Sequence, residues 1–432
     1  MQRDYLEVPD ADSLPRTTQA DMAEAARLHL DYLEGKQGGT RAIMKFVDLS
    51  DLDLSDMILR QADFTGSRLS GTMLKNTDLS ECSFFGADLR NANLTNANLK
   101  RADLRGAFMA GANMTGANLD GADLRAGKIM KRGEKGALQD RKRSGTQGTK
   151  ADLSGVRLTN ASLNDVQAAG AEFADADLSG VTIQDADCQG ANFHGANFMD
   201  ADLSGSDLGR ANLSKAVLSN MVTDGASMFR AQTDGSLGDQ DMGDKLETLG
   251  KSLEELLEEH HLWVSTVGAE GRQLDLSGYD LRDVLELNKY VFTAIKAVGG
   301  NFLSQNLKSA ELQHVTMDRA DFRDCDMRHS DLRGSSFKYA LFARADLRGA
   351  RIGPLYFKND DGSRRTKRVE LNAANFRYAD LRSADLSYAD LRGADLTAAM
   401  VEDTNFTACD LRGALLKGTN LKRAITDGIQ TD

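Results

Sequence analysis

A five-residue repeat runs through residues 86–124 and restricts the fold more than any other feature of the chain. A Leu or Met recurs at every fifth position from Leu89 to Leu124, and Ala stands two residues before each of them. This period fits neither the 3.6 residues per turn of an α-helix nor the two-residue alternation of a β-strand. A fixed short period instead indicates stacked repeats.

Such a repeat predicts a four-sided coil. If the large and the small apolar residue point inward and the other three point outward, roughly twenty residues close one coil, and successive coils stack at the spacing of parallel strands, roughly 4.8 Å. Each coil then satisfies the backbone hydrogen bonds of the next. Phe residues recur twenty positions apart, which predicts stacks on one side of the tube: Phe64 with Phe84, Phe173 with Phe193, and Phe302 with Phe322 and Phe342.

The repeat occupies four blocks, 49–124, 153–228, 276–352 and 371–421, and the third block slips by one residue near its start. Segments 18–34 and 244–264 are predicted helices, the first with Thr18 and Asp21 and the second with Asp244 and Glu247 as capping pairs. The domain prediction is a disordered N-terminus (1–17), a helical cap and loop (18–46), a first repeat domain (47–230) with an insertion (125–150), a linker (231–243), a helical module (244–273), a second repeat domain (274–425) with an insertion (353–368), and a tail (426–432).

The motif GADLR NANLT NANLK RADLR resembles the pentapeptide-repeat family. The resemblance implies a β fold, the right-handed quadrilateral β-helix, which is a solenoid. Leu89 and Ala87 would point inward, and Asp88, Arg90 and Asn91 outward. The two helices would be short α-helical capping modules, because stacked repeats need a cover on their apolar ends.

The two halves of the chain also resemble each other. His29-Leu30 has a counterpart in His261-Leu262, and Asp123-Leu124 has one in Asp346-Leu347. Each half contains a helix, repeats, an insertion and more repeats. This order predicts an internal duplication in which the two insertions lie at equivalent places.

Composition restricts the function. The net charge of −12 argues against direct binding to nucleic acid. No apolar stretch is long enough for a transmembrane segment, and the N-terminus lacks the features of a signal peptide, so a cytoplasmic protein is expected. Cys82, Cys188, Cys325 and Cys409 fall in register with the repeat and are predicted to be buried core residues. No His stands in a catalytic or metal-binding motif, so no enzyme activity, cofactor or metal site is predicted.

A long tube with a patterned surface suits protein binding, and the leading hypothesis is a non-enzymatic interaction scaffold with a protein partner. The insertions are basic, with nine Lys or Arg against two acids (+7) in 125–150 and five against two (+3) in 353–368. Three interpretations remain open: the insertions fold back on neighbouring acidic columns, they are solvated spacers, or they dock an acidic protein, nucleic acid or lipid surface. Docking would use Lys131, Arg132, Arg141, Lys142, Arg143, Arg364, Arg365, Lys367 and Arg368.

The resemblance also implies an alternative, because some members of the family imitate double-stranded DNA and bind DNA gyrase. Residues 151–228 carry eleven acids against three Lys or Arg, a net charge of −8. Stacking would place acids twenty residues apart in columns. The acidic surface would consist of Asp152, Asp165, Glu172, Asp185, Asp187 and Asp207.

Overall fold

The structure, a computed structural model, describes residues 14–127, 130–132, 138–140, 150–238, 242–358 and 364–432. The chain divides into two compact units, Met1–Asp239 and Gln240–Asp432. Arg16 pairs with Asp48, so the predicted disorder of 1–17 is wrong for the last residues of that segment. Residues 1–13 lie outside the described residues.

Parallel β-bridges between residues twenty positions apart build the first unit. Four ladders run through Ile43, Asp48, Asp53 and Ile58, one on each side of the coil, and the last coil ends at Leu237. The repeats of the first unit therefore form stacked coils joined by parallel bridges, which is a β-helix. The ladders continue across the first insertion, with Phe108 paired to Asp152. The ladders also include Gln232 and Leu237, so the prediction of a linker at 231–243 is wrong for 231–238.

The corners of the coils take left-handed backbone conformations, which explains the Asn, Asp and Gly residues there. Asn91 and Asn96 have φ values of 58° and 56°, and Gly111 has a φ of 71°. A Cβ on Gly111 would lie 2.5 Å from Oδ1 of Asn91 in the preceding coil. Each corner thus needs a residue that tolerates positive φ. Where the Asn side chain of the preceding coil occupies the space of a Cβ, as at Gly111, the residue must be Gly.

The inward Leu, Ala and Phe residues form one continuous apolar core in each unit. The predicted Phe stacks are confirmed, with ring centroids 5.1 Å apart for Phe64 and Phe84 and 4.9 Å for Phe173 and Phe193. All four Cys are unpaired and buried, as predicted. Three of them donate a hydrogen bond to a backbone carbonyl one coil below: Cys82, Cys325 and Cys409.

The second unit contains the same ladders with one irregular coil. Asp275 pairs with Lys296, a spacing of twenty-one, whereas Val291 pairs with Glu311 at the regular spacing of twenty. The extra residue lies between Leu281 and Leu287, directly before a 3-10 turn, Leu287–Lys289, that interrupts the repeat. The predicted slip of one residue is therefore confirmed.

Among the described residues, each unit has one α-helix. Helix α1, Gln19–Leu33, has Thr18 and Asp21 in a reciprocal capping box, as predicted. Helix α2, Leu253–Ser265, begins later than predicted, because Ser252 and Glu255 form its capping box. The predicted start at Asp244 and its capping pair with Glu247 are wrong. Asp244–Lys245 is instead a short strand, followed by a 3-10 turn, Leu246–Leu249, that ends at left-handed Gly250. Neither helix is long and apolar enough to cross a membrane.

Both insertions contain a two-stranded antiparallel hairpin. Strands β1, Met130–Arg132, and β2, Leu138–Asp140, pair in the first insertion. Strands β3, Asp244–Lys245, and β4, Tyr279–Asp280, pair in parallel near α2. Strands β5, Leu355–Lys358, and β6, Arg364–Lys367, form the hairpin of the second insertion.

Candidate interaction surfaces

The first insertion provides two of the predicted docking residues within a strand. Lys131 and Arg132 belong to β1, where Lys131 pairs with Gln139 and Arg132 with Leu138. Arg141, Lys142 and Arg143 lie outside the described residues.

The second insertion packs one face of its hairpin against the coils. The ring of Phe357 meets that of His314 edge to face, with centroids 5.7 Å apart. Leu355 lies over Gly334, where a Cβ would come within 2.6 Å of the Leu355 side chain. Side chains alternate along a strand, so Tyr356, which is 62% exposed, points away from the coils.

The antiparallel register places two predicted docking cations on the coil side of the hairpin. Lys367 pairs with Leu355 and Arg365 with Phe357. Nζ of Lys367 lies 3.1 Å from Nδ1 of His314. Arg368, directly after β6, lies 3.5 Å from a carboxylate oxygen of Asp390.

Two of the three predicted pairs of acidic residues stack in adjacent coils of the first unit. Asp152 pairs with Glu172, and Asp187 pairs with Asp207, each in adjacent coils. Lys150 lies 2.7 Å from Glu172, so one end of the first column is neutralised. Asp165 and Asp185 stand at left-handed corners, with φ values of 56° and 54°.

Many acidic residues of the second unit are arranged differently from those of 151–228, because Arg follows them two positions later, as Arg105 also follows Asp103 in the first unit. Arg328 lies 2.5 Å from Asp326 and 3.6 Å from Asp346 in the next coil. Arg348 in turn lies 2.6 Å from Asp346 and 3.5 Å from Asp380. Acids and guanidinium groups thus alternate up the face. A further ladder of the same kind is formed by Arg368, Asp390, Arg392, Asp410 and Arg412.

A buried His anchors each helix to its coils, an arrangement that the sequence analysis missed. His29 Nε2 lies 2.8 Å from the carbonyl oxygen of Arg60, and its Nδ1 accepts a hydrogen bond from the Ala42 N–H at 3.1 Å. His260 makes the same contacts, at 2.8 Å with the carbonyl of Thr293 and at 3.2 Å with the N–H of Leu274. Both side chains are fully buried.

These contacts correct the predicted equivalence of His29 with His261. Tyr32 stacks on His29 at 5.9 Å, and Trp263, also three residues later, stacks on His260 at 5.7 Å. His261 is exposed. In the sequence, the only sign of this anchor in the second unit is the adjacent pair His260-His261. Alignment on the dipeptide His-Leu matches His29 with His261, whereas the structure matches it with His260.

The same equivalence changes the relation between the insertions. The N–H groups of Ala42 and Leu274 are bound alike, so the ladders that start at Ile43 and Asp275 correspond. The first insertion follows Asp123, which belongs to the Ile43 ladder. The second insertion follows Arg351, which belongs not to the corresponding Asp275 ladder but to the ladder beside it. The insertions are therefore one face apart, and the prediction of equivalent places is wrong when counted from the helices.

Within the described ranges, no cluster of His, Cys, Asp or Glu could hold a metal ion. A shallow depression of about 480 Å³ lies between the end of α1 and the coils. Its lining is mostly polar and includes Tyr32, Arg60 and Glu81.

The pentapeptide-repeat model matches in eight copies, which together cover more than half of the chain: residues 42–81, 82–121, 149–185, 183–220, 325–352, 367–400, 374–413 and 402–425. The chain belongs to the pentapeptide repeat family. Membership implies that the coils form a right-handed β-helix. No curated protein matches the chain.

Solved pentapeptide repeat proteins are similar over parts of the chain. One, from the thylakoid lumen of Arabidopsis thaliana, is 32% identical, over 28% of this chain and 66% of its own length, with a TM-score of 0.21. HetL of the cyanobacterium Nostoc sp. strain PCC 7120, involved in heterocyst differentiation regulation, is 28% identical over 48% of this chain and 94% of its own, at a TM-score of 0.17. QnrB1, a plasmid-mediated fluoroquinolone resistance protein, is 15% identical over 63% of this chain and 93% of its own length, with a TM-score of 0.17. This chain thus spans just under two thirds of the Arabidopsis protein.

Proposed function

We propose that this pentapeptide repeat protein is a non-enzymatic interaction scaffold that binds another protein. The observation that carries the proposal is the set of long parallel ladders in each unit, which present outward side chains at a fixed spacing. Solenoids use such extended surfaces to bind partners. The cytoplasmic location stays a prediction.

The two basic insertions are the proposed docking elements, in keeping with the way that rigid scaffolds carry recognition on their loops. The second hairpin supports this with Tyr356, which points outward, and with Arg365 and Arg368, which are exposed although Arg365 lies on the coil side of the hairpin. Tyr and Arg are the residue types that most often dominate binding energy at interfaces. The residues proposed for the contact are Lys131, Arg132, Arg141, Lys142, Arg143, Arg364, Arg365, Lys367 and Arg368.

The test is affinity capture from the native host with the full chain as bait. A variant with Tyr356→Ser, Arg365→Ser and Arg368→Ser should lose a partner that the native chain recovers. Lys308→Ser changes an exposed cation in the same unit and is the matched control. Recovery should also fall as the salt concentration rises, because exposed charges are screened within about 8 Å at physiological ionic strength. Equal recovery by the triple variant and the control would contradict docking by the second hairpin.

A second candidate function rests on the acidic columns of the first unit. We propose as the alternative that this surface imitates duplex DNA and modulates DNA gyrase. Four coils at roughly 4.8 Å each would present about one net charge per 2.4 Å, against one per 1.7 Å in DNA. Charge reversal at Asp165, Asp185, Asp187 and Asp207 should abolish an effect on supercoiling, and a native chain without any effect on the host's gyrase would remove this candidate.

We also propose that the two units arose by internal duplication and that α1 and α2 cap their coils. The matching contacts of His29 and His260 support the duplication. Met22 of α1 belongs to the core of the first unit and Leu257 of α2 to that of the second, which supports the role of caps. Deleting α1 should then expose apolar surface and raise the binding of a hydrophobic dye.

A further inference from the structure

Lys367, the last residue of β6, places its amino group against an imidazole instead of a carboxylate. Its Nζ lies 3.1 Å from Nδ1 of His314. An ammonium group has no acceptor, so whenever Lys367 is protonated Nδ1 of His314 accepts this hydrogen bond, and the imidazole then carries its proton on Nε2. Lys367 is half-buried in this position, between the hairpin and the coil.

The surroundings of Lys367 favour its neutral amine. Burial lowers the pKa of Lys367; Glu370 opposes this, and the nearby cations Arg365 and Lys338 lower the pKa further. Burial and the same hairpin cations, Lys367 and Arg365, also lower the pKa of His314. Desolvation and a neighbouring cation are the two ways in which proteins activate a Lys nucleophile.

Lys338 has the opposite surroundings although it lies in the same region. Its Nζ is 2.9 Å from a carboxylate oxygen of Glu370. That hydrogen bond raises the pKa of Lys338. The chain therefore offers two neighbouring lysines, one held as an ammonium by a carboxylate and one bound to an imidazole.

We propose that Lys367 is a site of N-acylation by acyl thioesters, with His314 positioned to accept its proton. The ammonium first gives one proton to Nδ1 of His314, which passes it to water. The amine nitrogen then attacks the thioester carbonyl carbon, forming the C–N bond and breaking the C–S bond. The second proton leaves the nitrogen for the departing thiolate, so the products are an amide and a thiol and no electrons are exchanged.

Acylation would change the second insertion in a defined way. It removes one positive charge but keeps an N–H that can donate to Nδ1 of His314. The backbone pairing of Lys367 with Leu355 does not involve the side chain and would persist. The proposal is independent of which partner the scaffold binds.

The experiment uses the full chain and the acetyl thioester of N-acetylcysteamine as the probe. Site-resolved mass spectrometry follows acetylation of Lys367 and Lys338 in the same molecules, so that reagent concentration, digestion and folding are shared. We expect Lys367 to react several-fold faster than Lys338 at pH 7.5, because each unit of pKa difference changes the neutral fraction about tenfold. The rate at Lys367 should also level off at a lower pH than the rate at Lys338.

Two variants separate the proposed cause from simple exposure. Arg365→Gln removes a neighbouring cation and should slow Lys367 without slowing Lys338. His314→Asn removes the proton acceptor while keeping a residue that tolerates the left-handed backbone at this corner, where φ is 60°. It should also slow Lys367. Equal rates at the two lysines of the native chain, or a rate ratio unchanged in both variants, would overturn the proposal.

Discussion

Replacing Phe342 by Ala tests whether stacked rings hold the second unit together. Phe342 is fully buried. Its ring stacks between those of Phe322 and Phe376, with centroids 5.0 and 4.8 Å away, and meets Phe337 edge to face at 5.6 Å. Truncation of a buried Phe costs about 3–5 kcal/mol. The upper part of that range applies here, because the hydrogen-bonded coils above and below leave little room for the core to collapse.

A loss of about 4 kcal/mol in a unit of this size lowers the melting temperature by roughly 8–16 °C. The single Trp of the chain, Trp263, lies in α2 and is partly buried, so its fluorescence reports on the second unit. Tyr388→Ala is the matched control, because Tyr388 is a half-exposed aromatic residue of the same unit. Tyr388→Ala should change the free energy of unfolding by no more than about 0.5 kcal/mol, as most surface substitutions do. If both variants melt alike, the stack does not carry the stability assigned to it.

Two further substitutions test the helix anchor and the register of the coils. His260 must be neutral to accept its backbone hydrogen bond, and burial lowers its pKa. The stabilisation is therefore complete above the unfolded pKa of about 6.5 and is lost as the pH falls toward the folded pKa. His260→Gln should reduce the slope of the free energy of unfolding against pH by up to about 1.4 kcal/mol per pH unit. The slope is measured by chemical denaturation followed by the fluorescence of Trp263, and a slope unchanged by the substitution would contradict this role. Leu99→Asp should unfold the first unit by burying an unpaired carboxylate, whereas Lys100→Ser, at the exposed next position, should cost little; circular dichroism melts that coincide would show that the register is wrong.

The repeat predicted most of the fold, because a five-residue period encodes both the inward positions and the length of the coil. Leu89 and Ala87 are buried as expected, and the Phe stacks follow from the same count. The slip near Leu281 was also visible, because a single extra residue shifts every later inward position. The periodicity is informative here because each coil forms its backbone hydrogen bonds mainly with the coils above and below it.

Local detail was less predictable where two signals compete. The sequence predicts that helix α2 begins at Asp244 with Glu247, whereas the structure begins it at the capping box of Ser252 and Glu255, beyond Gly250. The anchoring by His29 and His260 could not be derived, since it depends on backbone groups thirteen or more residues away that only the folded coil brings together. The net charge of the second insertion also overestimates how many of its cations are available to a partner, because the side chains of Lys367 and Arg368 contact the coil itself.

The position directly after the inward Leu decides whether a face of this protein is acidic or neutral. In the second unit Arg382 stands there and lies 2.6 Å from Asp380, two residues before it. In the first unit Ser204 holds the same place after Asp202 and donates a hydrogen bond of 2.6 Å to that carboxylate. Ser204→Arg should therefore build such an ion pair within the acidic segment 151–228, with an unchanged melting profile.

Combined with Gln189→Arg, which gives Asp187 the same partner, the change removes two units of net negative charge from the acidic surface. The variant should elute earlier from an anion-exchange column than the native chain. Ser204→Thr and Gln189→Glu supply neutral and acidic controls at these positions. If the acidic surface binds a partner, the double Arg variant should weaken that binding more than the Thr control, and the loss should shrink as salt is raised because screening weakens the native contact too. Binding that is as strong in the double Arg variant as in the native chain would place the docking surface away from this face.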